Sequence, residues 1–154
     1  MKSLYRMFLG LLSISIFIMC NAAQPKQDKP TSVEPAAAST KAKIIVYYFH
    51  GDARCPTCFM LESLAKSEIE TNFADAIKQG TLEWKTINID TKGNEHYAQD
   101  YKLYTKSIII STQVNNKEAS WKNLDKIWQL VHEEPKYRSY IKTEVAACLA
   151  GKCL

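Results

Sequence analysis

The regular hydrophobic pattern of this chain begins at Lys43. Ile44-Ile45-Val46-Tyr47-Tyr48-Phe49 is an unbroken apolar run of β-branched and aromatic residues. Such a run predicts a central strand covered on both faces. His50 to Arg54 carries Gly51 and reads as a loop. Pro56 suits the first turn of a helix, where its missing N–H would have no intrahelical partner. Leu61, Leu64, Ala65, Phe73, Ala76 and Ile77 then keep helical spacing up to Gly80, which predicts one long helix stopped by that glycine.

Residues 82–89, LEWKTINI, alternate and then turn apolar, predicting a second strand. Asp90 to Gly93 turns, and Asn94 to Tyr101 suits a short helix. Ser107 to Thr112 predicts a third strand around Ile108-Ile109-Ile110. Asn115 and Asn116 stand where a tight hairpin needs positive φ, with Glu118 to Trp121 as the returning strand. Asn123 is placed to cap a helix whose inner face is Leu124, Ile127, Trp128 and Val131. After a break at Pro135, Tyr137, Tyr140, Ile141, Val145, Cys148 and Leu149 line a last helix, ended by Gly151. The predicted order is β-α-β-α-β-β-α. The first two strands, joined through a helix, should be parallel with a right-handed crossover; the last two should form an antiparallel hairpin. The expected architecture is α/β, with a mixed four-stranded sheet between helices on both faces.

The N-terminal region has a different character. Lys2 and Arg6 precede an apolar stretch from Met7 to Met19, followed by Cys20-Asn21-Ala22-Ala23. Residues 1–23 have the layout of a secretory signal or membrane-targeting segment, and the apolar run is short for a membrane span. Two endings are open: cleavage after Ala22 or Ala23, or lipidation at Cys20. Met19 is large for the position before a lipidated cysteine, which favours cleavage. Residues 24–40 contain three prolines and almost no large apolar side chain, so they read as a flexible linker. Extended, this stretch would reach roughly 50 Å. Residues 41–154 form the expected folded domain, exported to the periplasm or anchored facing it, where disulfides persist.

The 154 residues suffice for one domain. The formal charge is +4, half of it from Lys2 and Arg6. With no basic stripe and no aromatic–basic interleaving, nucleic acid is not an expected partner.

The chemistry lies in Cys55-Pro56-Thr57-Cys58, which follows a buried strand by one loop and opens a helix. A thiol there meets unpaired N–H groups and the positive end of the helix dipole. Both favour thiolate, and Arg54 adds positive charge. Cys55 is then the attacking thiolate and Cys58 the resolving thiol, with Pro56 and Thr57 tuning the potential. Two other readings stay open: half of a zinc site with His50 as a third ligand, or an inert disulfide.

Phe49 to Cys58, Thr86-Ile87-Asn88-Ile89-Asp90 and the run from Tyr101 to Ile110 resemble thioredoxin, in the same order, over about residues 43–150. More narrowly, YYFHGDARCPTC with YKLYTKS and WKNLDKIW is similar to a family of small bacterial thioredoxin-like proteins. That family is described as a subunit of a nitrophenyl-compound (organoarsenical) nitroreductase system. The resemblance implies a thioredoxin-like three-layer fold and thiol–disulfide exchange without a bound cofactor. The Pro-Thr dipeptide resembles that of periplasmic reductases in cytochrome c maturation.

The departures matter. Thioredoxins carry Trp where Arg54 stands. They bury an acid near the end of the strand that here holds Tyr47, Tyr48 and Phe49. Asp52 and His50 are the nearby substitutes, and loop residues this polar are more often solvated. The cis-proline of the family corresponds to Lys106, after Thr105, where a trans bond is expected. Thr105 and Lys106 should therefore shape a different docking surface, with Lys106 favouring thiolate.

Cys148 and Cys153 are a second pair. Either they bond and staple the C-terminus, or Cys148 is a buried thiol beside a frayed tail. This topology puts them at the pole opposite Cys55, which argues against a relay. Tyr97, Tyr101, Tyr104, Trp121 and Trp128 read as core or half-exposed faces, and His96 and His132 as solvated. The expected activity is thiol–disulfide exchange with protein partners, with a membrane electron donor as one source, by a monomer. The alternatives are a non-catalytic adaptor subunit of a reductase system and a protein binding a soft metal or metalloid.

Overall fold

The apolar run from Ile44 to Phe49 is buried at every position, because the strand that carries it is covered on both faces. The computed structural model describes residues 42–153, and this strand, β1, spans Lys43–His50. The expected targeting segment over residues 1–23, the expected linker over 24–40 and Cys20 lie outside the described residues. Ile44, Val46 and Tyr48 of β1 face one core, and Ile45, Tyr47 and Phe49 face a second.

The single helix expected up to Gly80 is two. α1 spans Pro56–Asn72 and α2 spans Ala74–Lys78. Phe73, at φ −127° and ψ 26°, leaves the helical region between them. The apolar spacing continues across this residue, and neither Gly nor Pro marks it. Gly80 follows at φ 68°, a value that favours glycine.

Strand β2, Leu82–Asn88, lies parallel to β1, with Ile44 opposite Leu82 and His50 opposite Asn88. Helix α3, His96–Asp100, precedes strand β3, Ser107–Val114. Asn115 and Asn116, at φ 53° and 60°, turn the chain into β4, Lys117–Asn123. The β1–β3 and β3–β4 pairs are antiparallel, and the sheet order is β2-β1-β3-β4. This is the mixed four-stranded sheet that the sequence predicts.

Two details correct the sequence reading. Asn123 does not cap a helix: it stays in β4, opposite Ile109. The next helix, α4, covers only Ile127–Leu130, starts after Lys126, and has no side-chain cap. Pro135 lies within the first turn of α5, Glu134–Leu149, and the break falls at Glu133, with φ −115° and ψ 73°.

The larger core lies between the sheet and the α1–α5 layer. Leu61, Ala65 and Ile69 of α1 meet Tyr137, Ile141 and Val145 of α5 there. The Tyr137 hydroxyl donates to the Leu61 carbonyl at 2.6 Å, joining the two helices inside the core. The opposite face is thinner. Tyr97 of α3 and Tyr101 pack on Tyr47 and Phe49, and Trp121 meets Tyr101 edge-on at 5.4 Å between centroids.

Cys148 and Cys153 are joined in a disulfide, Cα–Cα 4.1 Å. With Ala42, Ile44 and Thr112 they line a cavity where β1 begins. Cys55 and Cys58 follow the other end of β1, so the two pairs are separated by the length of an eight-residue strand, about 25 Å. That distance bars direct exchange within one molecule. Closing so short a loop stabilises the fold by about 2 kcal/mol in the chain-entropy account.

Candidate functional site

β1 ends at His50, and the loop to α1 is held from β2. At Gly51 a Cβ would lie 2.6 Å from Asp90 Oδ2, so a larger residue there would displace that carboxylate. The Asp52 amide donates to that same carboxylate oxygen at 2.7 Å, and Asn88 Nδ2 donates to Asp52 Oδ1 at 2.7 Å. Asp52 is exposed and committed to the loop, so it does not supply a buried acid. His50 Nδ1 lies 2.9 Å from the Gly51 carbonyl oxygen.

Cys55 is the N-cap of α1, with extended backbone at φ −100° and ψ 163°, and Pro56 opens the first turn. The Cys58 amide donates to Cys55 Sγ at 3.2 Å. The sulfur thus occupies the place of a capping oxygen, where an N–H and the helix dipole stabilise negative charge once the disulfide opens. Cys55 and Cys58 are disulfide-bonded, Cα–Cα 5.0 Å. Cys55 is exposed and Cys58 is 1% exposed. Thr57 is half-buried between them.

Tyr48 supports this turn from below. Its ring is fully buried, and its hydroxyl donates to the Cys58 carbonyl at 2.7 Å. Burial pushes the Tyr48 phenol up to about 12, against the opposing pull of Arg54. The hydroxyl therefore stays a donor throughout the neutral range.

Arg54 does not offer a free positive charge to Cys55. Its guanidinium is paired with the Glu62 carboxylate of α1 and lies over the Phe59 ring, 4.2 Å from the centroid. Glu62 also accepts from Thr86 Oγ1 of β2 at 2.9 Å, and that hydroxyl accepts from Trp84 Nε1 at 3.2 Å. Sequence reasoning missed Glu62, Thr86 and Trp84. The available signal was position: Glu62 follows Cys58 by four residues and borders the buried stripe of Cys58, Leu61, Ala65 and Ile69.

Burial alone would raise the Glu62 carboxyl, but hydrogen bonds from Arg54 and Thr86, with the Arg54 charge, outweigh it and hold the group below the usual carboxylate range. A depressed folded-state value means that the stabilisation is complete above about pH 4.5 and is lost as pH falls through the folded value. Between about pH 5 and about pH 3, the urea midpoint of the wild type should therefore fall more than that of Glu62→Gln. Equal falls would show that the pair adds nothing to acid stability.

Thr105 and Lys106 lie beside the end of β1 and the loop that follows it, in a cavity whose lining includes neither Cys55 nor Cys58. With Phe49, His50, Gly51 and Tyr104 they line this space of about 240 Å³. Trp128 Nε1 donates to the Lys106 carbonyl at 2.9 Å, which pins this segment. Every peptide bond among the described residues is trans, the one before Lys106 included. Tyr104 is 96% exposed and Phe59 53% exposed. Among the described residues no group of three or more His, Cys, Asp or Glu is arranged to hold a metal ion. Nor is any described helix long and apolar enough to cross a membrane.

No family model matches the chain, and no curated protein matches it. Among solved structures it is similar to a malarial protein, at 16% identity over 60% of this chain and 97% of that one, with a TM-score of 0.36. It is also similar to the thioredoxin of Fasciola hepatica, at 20% identity over 60% of this chain and 81% of that one, with a TM-score of 0.34.

Proposed function

We propose that this chain is a thiol–disulfide oxidoreductase that works outside the cytoplasm and exchanges electrons with protein partners through Cys55 and Cys58. The observation that carries the reading is the asymmetry of the pair. One sulfur is exposed, caps a helix and accepts an N–H; the other is buried one turn inside. In the reducing direction, the Cys55 thiolate attacks a partner disulfide, forms a mixed disulfide and expels one partner thiolate. Cys58 then gives up its proton and attacks Cys55 Sγ, releasing the second partner thiol and leaving Cys55–Cys58 oxidised. The oxidising direction runs these steps in reverse.

Export is supported by the targeting character of residues 1–23 and by the Cys148–Cys153 disulfide, which suits an oxidising compartment. Residues 24–40 would tether or extend the domain from a membrane. The likeness of the YYFHGDARCPTC run to a nitroreductase-associated subunit family suggests a reductase system as the setting. Lys106 at the position of the family's cis-proline favours a second reading, a docking subunit whose disulfide is passive.

The test is differential alkylation of the reduced full chain with limiting iodoacetamide at neutral pH. Cys55 should be modified at least tenfold faster than Cys58, since reactivity follows thiolate fraction and access. Equal rates at the two positions, or slower modification of Cys55, would overturn the assignment of roles.

A further inference from the structure

Arg54 stands immediately before the exposed sulfur, yet its charge is engaged elsewhere. Glu62 pairs with it from α1, and Phe59 lies under its guanidinium. Glu62 is itself fixed from a second element, through the Trp84–Thr86 hydrogen-bonded chain of β2. Both partners of the ion pair are only 20% exposed, so solvent screens them less than a surface pair. Four residues separate Cys58 from Glu62, so their side chains leave the same side of α1 one turn apart. The other titratable groups packed here are Tyr48 and His50 of β1.

Reduction of the pair creates a new negative charge on Cys55. Positive charge nearby stabilises that form and makes the disulfide a stronger oxidant. Arg54 alone would act in this direction, on top of the helix N-terminus. Resting on the oxidoreductase reading, we infer that Glu62 is a positioning residue that sets the potential of the Cys55–Cys58 couple, cancelling Arg54 and keeping the couple more reducing. The pair thus works as a fixed electrostatic counterweight, and its two members have opposite signs of effect.

The experiment is a redox equilibrium of the full chain with glutathione. Two glutathione thiols reduce Cys55–Cys58 to the dithiol and become one glutathione disulfide. Acid quenching, alkylation and peptide mass mapping then count the Cys55–Cys58 peptide separately from Cys20, Cys148 and Cys153. Glu62→Gln should shift the equilibrium toward the dithiol about tenfold, which is about 30 mV for a two-electron couple. Arg54→Met should shift it toward the disulfide. The double variant should return to within about twofold of wild type, as a cancelled pair requires.

The pH dependence of Cys55 alkylation gives a readout that a merely structural ion pair would not move. It should show a more acidic Cys55 in Glu62→Gln. An unchanged equilibrium in Glu62→Gln, or a shift toward the disulfide, overturns the inference. If Glu62→Gln does not fold, Arg54→Met decides: a shift toward the disulfide supports the inference and no shift overturns it. A wild-type pair that never equilibrates with glutathione defeats the oxidoreductase reading itself, and this inference with it.

Discussion

Cys58→Ser is expected to reduce turnover to the uncatalysed rate and to leave the chain covalently attached to its partners through Cys55. The reason is the division of labour in the first turn of α1. Cys55 caps the helix from an exposed position, with the Cys58 amide pointing at its sulfur. It keeps its nucleophilicity when Cys58 is replaced. Cys58 is buried one turn further in, where it is the thiol able to resolve a mixed disulfide on Cys55. Ser in its place cannot attack sulfur, so the intermediate accumulates. Cys55→Ser should lose turnover as fully but trap nothing. Non-reducing gels of trapped cell extracts, followed by mass mapping of the linked peptides, check both variants. Recovery of no partner on Cys55 would favour the passive docking subunit.

Tyr137→Ala should lower stability by about 3–5 kcal/mol, the range for losing a large aromatic side chain from a packed core. Tyr137 is fully buried between α5 and α1, and its hydroxyl reaches the Leu61 carbonyl three residues beyond Cys58. Burial pushes its phenol well above the ordinary value, so the hydroxyl remains a donor. Tyr137→Phe removes only that hydrogen bond. It should cost about 1 kcal/mol, because the Leu61 carbonyl lies inside α1 and keeps its helical partner. Urea unfolding with both disulfides intact separates the two effects. A loss under about 1 kcal/mol in Tyr137→Ala would contradict the α1–α5 packing that seats the redox pair.

Much of this was legible in the sequence, and the parts that were not share a cause. The run Ile44–Phe49 announced a strand covered twice, and six buried residues in succession answer to it. Asn115 and Asn116 signalled their own positive φ. Cys55 to Cys58 signalled a helix start, since Pro56 and the preceding loop fix the geometry locally. Each of these is a short-range effect, written in neighbouring residues.

The break at Phe73 left no local mark, because its apolar side chain fits the helical pattern whether or not its backbone does. Asn123 has the chemistry of a helix cap, but pairing with Ile109 across the sheet outweighs that preference. Glu62, among its sequence neighbours, is one more polar position of a helix. Its partners arrive from eight residues back and twenty-four residues ahead, through the loop and through β2. No periodicity encodes such a meeting. For the same reason Arg54 read as a free charge beside Cys55, whereas the fold engages it.

The most direct measurement is the redox equilibrium of Cys55–Cys58 in the full wild-type chain, across graded ratios of thiol to disulfide buffer, counted by alkylation and mass mapping. The account predicts one reversible two-electron transition, between about −270 mV, where a reductant lies, and about −120 mV, where an oxidant lies. A pair that does not exchange with the buffer, or that titrates only after a metal is stripped, would contradict it.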